Sequence, residues 1–199
     1  DAVPHLEKAR ELSDAPKDAE LYLARALLQT GKGERADTLI SELEDKYPKE
    51  SDVAILRGNH ALSYAQDTDA AVAAFQKALA QEPTEQRLFD LVRLQARVGQ
   101  REAAIERLQA WRESHEPSAA VDSALAEFHL SAGHHAEAVQ LYSELIDRDP
   151  ENPAYRNNLA WTLAQQDELD AALTHAEKAA ALAPDNAGVL DTLGLIHLR

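Results

Sequence analysis

The chain has 199 residues, 45% of them hydrophobic, with 7 glycines and 8 prolines, so long regular elements around a sizeable buried core are expected. Its 35 Asp and Glu against 20 Lys and Arg leave a net charge of −15, which disfavours a nucleic-acid partner because a phosphate backbone needs a basic face. Cysteine is absent, which excludes a disulfide framework and thiolate metal ligation.

Residues 1–14, "DAVPHLEKARELSD", read as an unpaired second helix that has lost its first, with Pro4 in its first turn, where a missing N–H is tolerated. The chain opens on Asp1 without methionine and reads as a piece of something longer. Five helix pairs follow, over residues 17–50, 51–84, 85–118, 119–152 and 153–186. Pro48, Pro83, Pro117, Pro150 and Pro184 mark their ends, at spacings of 35, 34, 33 and 34 residues. Pair 51–84 is irregular, because Arg57 occupies a place that apolar residues usually hold; its aliphatic stem is expected to pack while its head reaches water. Pair 153–186 is the most regular. Its first helix is expected from about Ala154 to Gln165, with Leu159 and Leu163 on one face beside Ala160. Its second is expected from about Asp170 to Leu182, with an inner stripe of Ala172, Leu173, Ala176 and Ala179. Residues 187–199, "AGVLDTLGLIHLR", read as a last, unpaired first helix. Twelve helices and no strands are predicted.

The repeat shows directly in a 34-residue ruler. Set on Ala172, it lands on Ala138, Ala104, Ala70, Ala36 and Ala2. A second series runs Ala24, Gly58, Val92, Ala126, Ala160, Gly194. A third, Gly31, Ala65, Gly99, Gly133, Asp167, marks the turn inside each pair. Small residues recurring in both helices are expected where the backbones cross closely.

Unit length, paired alanines and closing proline together resemble the tetratricopeptide repeat, and "NNLAWTLAQQDELDAALTHAEKAAALAPDN" at 157–186 carries the likeness most fully. The tryptophan that the family places early in the first helix is missing; Trp161 lies seven places further on. The resemblance implies an all-α, right-handed superhelical solenoid, elongated rather than globular, in which each pair contacts mainly its neighbours. The C-terminal stretch, with "LDTLG" at 190–194, is also similar to tetratricopeptide lipoproteins of bacterial exopolysaccharide export and PEP-CTERM sorting. That likeness implies a periplasmic or outer-membrane-anchored parent protein.

Residues for chemistry are sparse. His129, His134, His135 and Glu137 form the one histidine cluster, but without HExxH or helical His spacing it reads as a solvated turn rather than a metal site. Ser118 and Ser131 read as helix caps. There is no G-x-S-x-G and no glycine-rich phosphate loop. No catalytic residue, cofactor or metal is expected.

What remains is surface. The resemblance implies a groove lined by the first helix of each pair. The ruler lists its rows: Arg25, Asn59, Arg93, Glu127, Trp161; then Leu21, Ile55, Phe89, Ser123, Asn157; then Gln29, Ser63, Arg97, Ser131, Gln165. No lysine occurs in them, which argues against the family's lysine-and-asparagine clamp for chaperone C-termini. Six of the thirteen arginines fall between residues 87 and 112, a locally basic run in an acidic chain. The candidate groove residues are Arg25, Asn59, Phe89, Arg93, Arg97, Asn157 and Trp161. They fit a non-catalytic scaffold that holds a protein or peptide, acidic where Arg93 and Arg97 lie. The alternative is a carbohydrate-binding surface, with Trp161 stacking on a sugar and Asn157 bonding to it. At the end of the chain Leu190, Leu193, Ile196 and Leu198 cannot all be covered, so end-to-end self-association is a further expectation.

Overall fold

A computed structural model describes residues 2–11 and 16–199; residues 1 and 12–14 of the first expected helix lie outside them. Among the described residues there are twelve α-helices and no strand. They are α1 (Val3–Arg10), α2 (Lys17–Gln29), α3 (Gly33–Lys46), α4 (Ser51–His60), α5 (Thr68–Gln81), α6 (Glu85–Arg97), α7 (Arg101–Ser114), α8 (Ala119–Ala132), α9 (His135–Arg148), α10 (Pro153–Gln165), α11 (Leu169–Leu182) and α12 (Ala187–His197). The all-α repeat fold is the one the spacing predicts.

Local chemistry sets the boundaries. Ser118 Oγ accepts from Val121 N–H to start α8, and Asn186 Oδ1 accepts from Gly188 and Val189 N–H to start α12. Ser131 is no cap: its hydroxyl donates to the Phe128 carbonyl at 2.9 Å. Inside four pairs, a left-handed residue two places before the second helix makes the turn, at Gly31, Gly99, Gly133 and Asp167, with φ of 78°, 83°, 82° and 59°.

The second full pair departs from the ruler, and the reason is visible. After α4 the chain makes a π-helical turn over Ala61–Ala65, which takes up one extra residue. The left-handed position moves from the expected Ala65 to Gln66, at φ 53°, and the spacing from Pro48 to Pro83 stretches to 35. Tyr64 anchors the turn. Its hydroxyl donates to the Leu28 carbonyl at 2.8 Å, and its ring lies so close to Gly33 that a Cβ there would meet it at 2.3 Å. The shift carries into α5. Ala36, Ala104, Ala138 and Ala172 are all fully buried, but the fifth seat belongs to Ala71, also fully buried, while Ala70 is exposed. Ala2, the sixth of that series, precedes α1 and is exposed; Val3 is buried instead.

Helices divide into two compact units, residues 1–99 and 100–199. In the first, consecutive helices from α1 to α6 pack on one another and α2 also touches α4. Leu21, Leu23, Leu27, Ile40, Leu43, Val53 and Leu56 form one core cluster; Ala61, Ala71, Val72, Phe75, Leu91 and Leu94 form another. Gly58 fits the close crossing of α4 and α5, since a Cβ there would lie 2.5 Å from the Phe75 ring. In the second unit α7 to α12 pack consecutively and α10 also touches α12. Leu108, Val121, Tyr142 and Leu145 are fully buried there, and Ala160 faces the α11 stripe of Ala172, Ala176 and Ala179, all without exposed surface.

Buried carboxylates tie neighbouring helices together. Glu20 accepts from Lys46 and Tyr47, and Asp122, 3% exposed, is paired with Arg112 at 2.7 Å and with Arg148. The Arg57 head does not simply reach water. It forks onto Glu44, pairs with Asp37 and donates to Ser41, binding α4 to α3. At the end of the chain Ile196 is buried and Leu193 half-buried, while Leu190 is 46% and Leu198 85% exposed.

Candidate functional site

Four of the six arginines in the run 87–112 divide clearly by what surrounds them. Arg87, largely buried, is held by Ser51, Asp52, Glu82 and Asp90, and Arg112 by Asp122 and Glu144. Both are structural. Arg93 and Arg97 are exposed, and among the described residues neither has an acidic partner. In a chain of net charge −15, two such cations four residues apart on one helix are unusual company. Asp90, one turn before Arg93, is occupied by Arg87 and by Gln86 Nε2 at 2.9 Å.

Beside them lies a hollow of about 220 Å³. Asn59 of α4, Leu62 of the π turn, Phe75 of α5, and Asp90, Arg93, Leu94 and Arg97 of α6 line it. Its floor is apolar and its rim polar. The Arg93 guanidinium also sits 5.8 Å from the centre of the Phe89 ring, a cation–π contact that orients it. The structure thus brings together four of the seven candidates: Asn59, Phe89, Arg93 and Arg97. Arg25 is exposed on α2 and lies outside the hollow. Asn157 and Trp161 belong to the second unit, one turn apart on α10, both half-buried. The Asn157 amide oxygen is buried without a hydrogen-bond partner among the described residues. Glu127, in the same unit, has its carboxyl pKa raised by partial burial. The ruler misses Leu62, Phe75 and Leu94, because a repeat register lists first-helix surface positions, and these come from the π turn, from α5 and from the buried side of α6. The off-register pair 51–84 was the only signal.

The histidine cluster differs from its expected form. His129 is 5% exposed on α8, not in a solvated turn. Its Nδ1 lies 3.3 Å from His134 Nδ1, and its Nε2 lies 3.4 Å from Gln109 Nε2. Among the described residues no group of three or more His, Asp or Glu converges on a metal position. Burial lowers the His129 pKa; Glu137 and Glu102 oppose the shift and His134 adds to it. The unfolded chain then takes up a proton near pH 6.5 that the folded chain refuses, so His129 favours folding above that pH and loses this contribution as pH falls toward its folded value. His129→Gln should flatten the fall in melting temperature between pH 7 and 5. An unchanged slope in the variant would show that other groups carry it.

Comparison with known proteins places this geometry. Sequence profiles described as tetratricopeptide repeat match residues 1–59, 89–153 and 123–187. A stretch of 67 residues is 39% identical to a TPR repeat-containing thioredoxin, TTL4, of Arabidopsis thaliana; it covers 34% of this chain and about a tenth of that protein's length. Among solved structures, YrrB, a TPR protein with an unusual peptide-binding site, is similar at a TM-score of 0.63 and 20% identity, over 94% of this chain and 96% of that one. A tetratricopeptide repeat protein from Parabacteroides merdae is similar at a TM-score of 0.65 and 17% identity, over 99% and 78%. At those identities the structures share the fold alone. With its repeat period, its alanine seats and these matches, the chain belongs to the tetratricopeptide repeat family.

Proposed function

We infer that the protein is a non-catalytic scaffold that holds an acidic, extended segment of a partner protein on the α6 face of its first unit. The tetratricopeptide fold is typical of protein–protein interaction, which supports the general role. The observation that carries the specific reading is the pair Arg93 and Arg97, exposed beside an apolar-floored hollow and without an acidic partner among the described residues, while Arg57, Arg87, Arg112 and Arg148 are all engaged in ion pairs. Arginine suits a carboxylate ligand because its planar fork grips with two bonds. The similarity of Leu190–Gly194 to envelope lipoproteins supports an export or envelope assembly as the setting.

Fluorescence anisotropy with a labelled Asp/Glu-rich peptide tests the reading. Binding should be measurable at low ionic strength and should weaken steeply as salt rises, since exposed charges lie within reach of screening ions. Equal affinity for a neutral peptide of the same length would defeat it. A carbohydrate reading has one observation in its favour, the partnerless buried oxygen of Asn157 one turn from Trp161. It requires glycan binding that Trp161→Ala abolishes; acidic-peptide binding should survive that substitution.

A further inference from the structure

We propose that the hollow between α4 and α6 is an anchor pocket for one aliphatic side chain, so that the preferred ligand is an extended segment of the form acidic–aliphatic–acidic. The proposal rests on the acidic-peptide reading above and adds the residue that reading leaves unspecified.

Four features fit this occupant. The volume, about 220 Å³, is below the range of roughly 300–1,000 Å³ that drug-sized ligands occupy, and suits a single side chain. Phe75 and Leu94 supply the floor, 7% and 4% exposed, with Leu62 at the wall. An inserted methyl or isobutyl group would meet carbon on several sides and exclude water there. Arg93 and Arg97 stand one helical turn, about 5.4 Å, apart on one rim, close to the roughly 6.6 Å between alternate residues of an extended segment; a segment running along that rim turns two acidic side chains, at i and i+2, toward the arginines and the residue between them the opposite way, toward α4 and the hollow. Asn59 stands on α4, across from α6, and its amide offers both a donor and an acceptor to a peptide unit passing over the hollow. A peptide unit uses both; a terminal carboxylate uses only the donor, which favours an internal segment. Leu62 lines the hollow from within the π turn, so the same extra residue that displaces the repeat register builds this wall.

The test uses two labelled twelve-residue peptides in a Gly-Ser frame, one with the core Asp-Leu-Glu and one with Asp-Ala-Glu, against the protein, against Leu62→Phe, and against the Arg93→Ala, Arg97→Ala pair. The leucine peptide should bind the unaltered protein about fivefold or more tightly than the alanine peptide. Leu62→Phe fills the hollow and should erase that preference, so that the variant binds the two peptides alike. Circular dichroism confirms that the variant is folded. The double arginine variant should weaken both peptides. If the two peptides bind equally and both depend on the arginines, the anchor pocket is refuted and the acidic-peptide reading stands. If neither binds more tightly than a neutral control, both are refuted.

Discussion

Ala71→Leu should destabilise the first unit by about 1–3 kcal/mol, whereas Ala70→Leu should change stability by no more than roughly 0.5 kcal/mol. Ala71 has no exposed surface and sits on the side of α5 that faces α4, where Gly58 already admits the Phe75 ring at less than a normal contact distance from any added Cβ. Three added carbons there have no space to enter, so helices must part or side chains must leave their rotamers. Ala70 is exposed, and leucine is nearly as good a helix former as alanine. Its N–H bonds to the capping Asp67 side chain at 2.9 Å, a contact that any side chain at 70 leaves intact. Denaturant titration of both variants reads the difference. The ranking separates two registers: a strict 34-residue spacing makes Ala70 the sensitive position, and a π turn between Ala61 and Ala65 makes it Ala71. Equal stability of the two variants, or greater damage at Ala70, would overturn the π-turn assignment.

That contrast shows where the sequence is legible. Helix pairs, their order and most of their ends follow from spacing alone, because small residues at crossings and stop signals after helices are local chemistry. Ala36, Ala104, Ala138 and Ala172 needed nothing else. The π turn was not legible as such. Its cause is tertiary: the Tyr64 ring over Gly33 and its hydroxyl on the Leu28 carbonyl, residues that the chain separates by about thirty positions. A period of 35 between Pro48 and Pro83 recorded the insertion without saying where it fell. The burial of His129 was not legible for a related reason. Sequence places His134 and His135 at the turn after Gly133, but only packing shows the His129 ring turned inward from the last turn of α8 toward Gln109 and His134. Among the arginines, sequence could count the basic run but not sort it. Arg87 is spent on Asp52, thirty-five residues earlier, and only packing shows that Arg93 and Arg97 are not similarly engaged.

The Arg93→Ala, Arg97→Ala double variant should bind an acidic peptide tenfold or more weakly at low salt, a loss on the order of 1.4 kcal/mol. Each exposed ion pair contributes only about 0.2–1 kcal/mol, so neither arginine alone is expected to account for the loss. Their spacing lets one extended segment engage both, and the second contact then forms without a further loss of translational freedom. Folding should be little affected, because both side chains are exposed and neither closes an ion pair among the described residues. Arg93→Lys with Arg97→Lys keeps the charge and removes the planar fork. It should recover part of the affinity if screening-sensitive attraction dominates, and little of it if two-bonded carboxylate recognition does. The defect should shrink between about 50 mM and 500 mM salt as the unaltered protein loses the same attraction. An Arg25→Ala control removes a positive charge from the same unit but outside the hollow, and should leave binding within about twofold. If that control weakens the peptide as much as the double variant does, the ligand is responding to the unit's overall field. The α6 stripe would then be ordinary solvated surface.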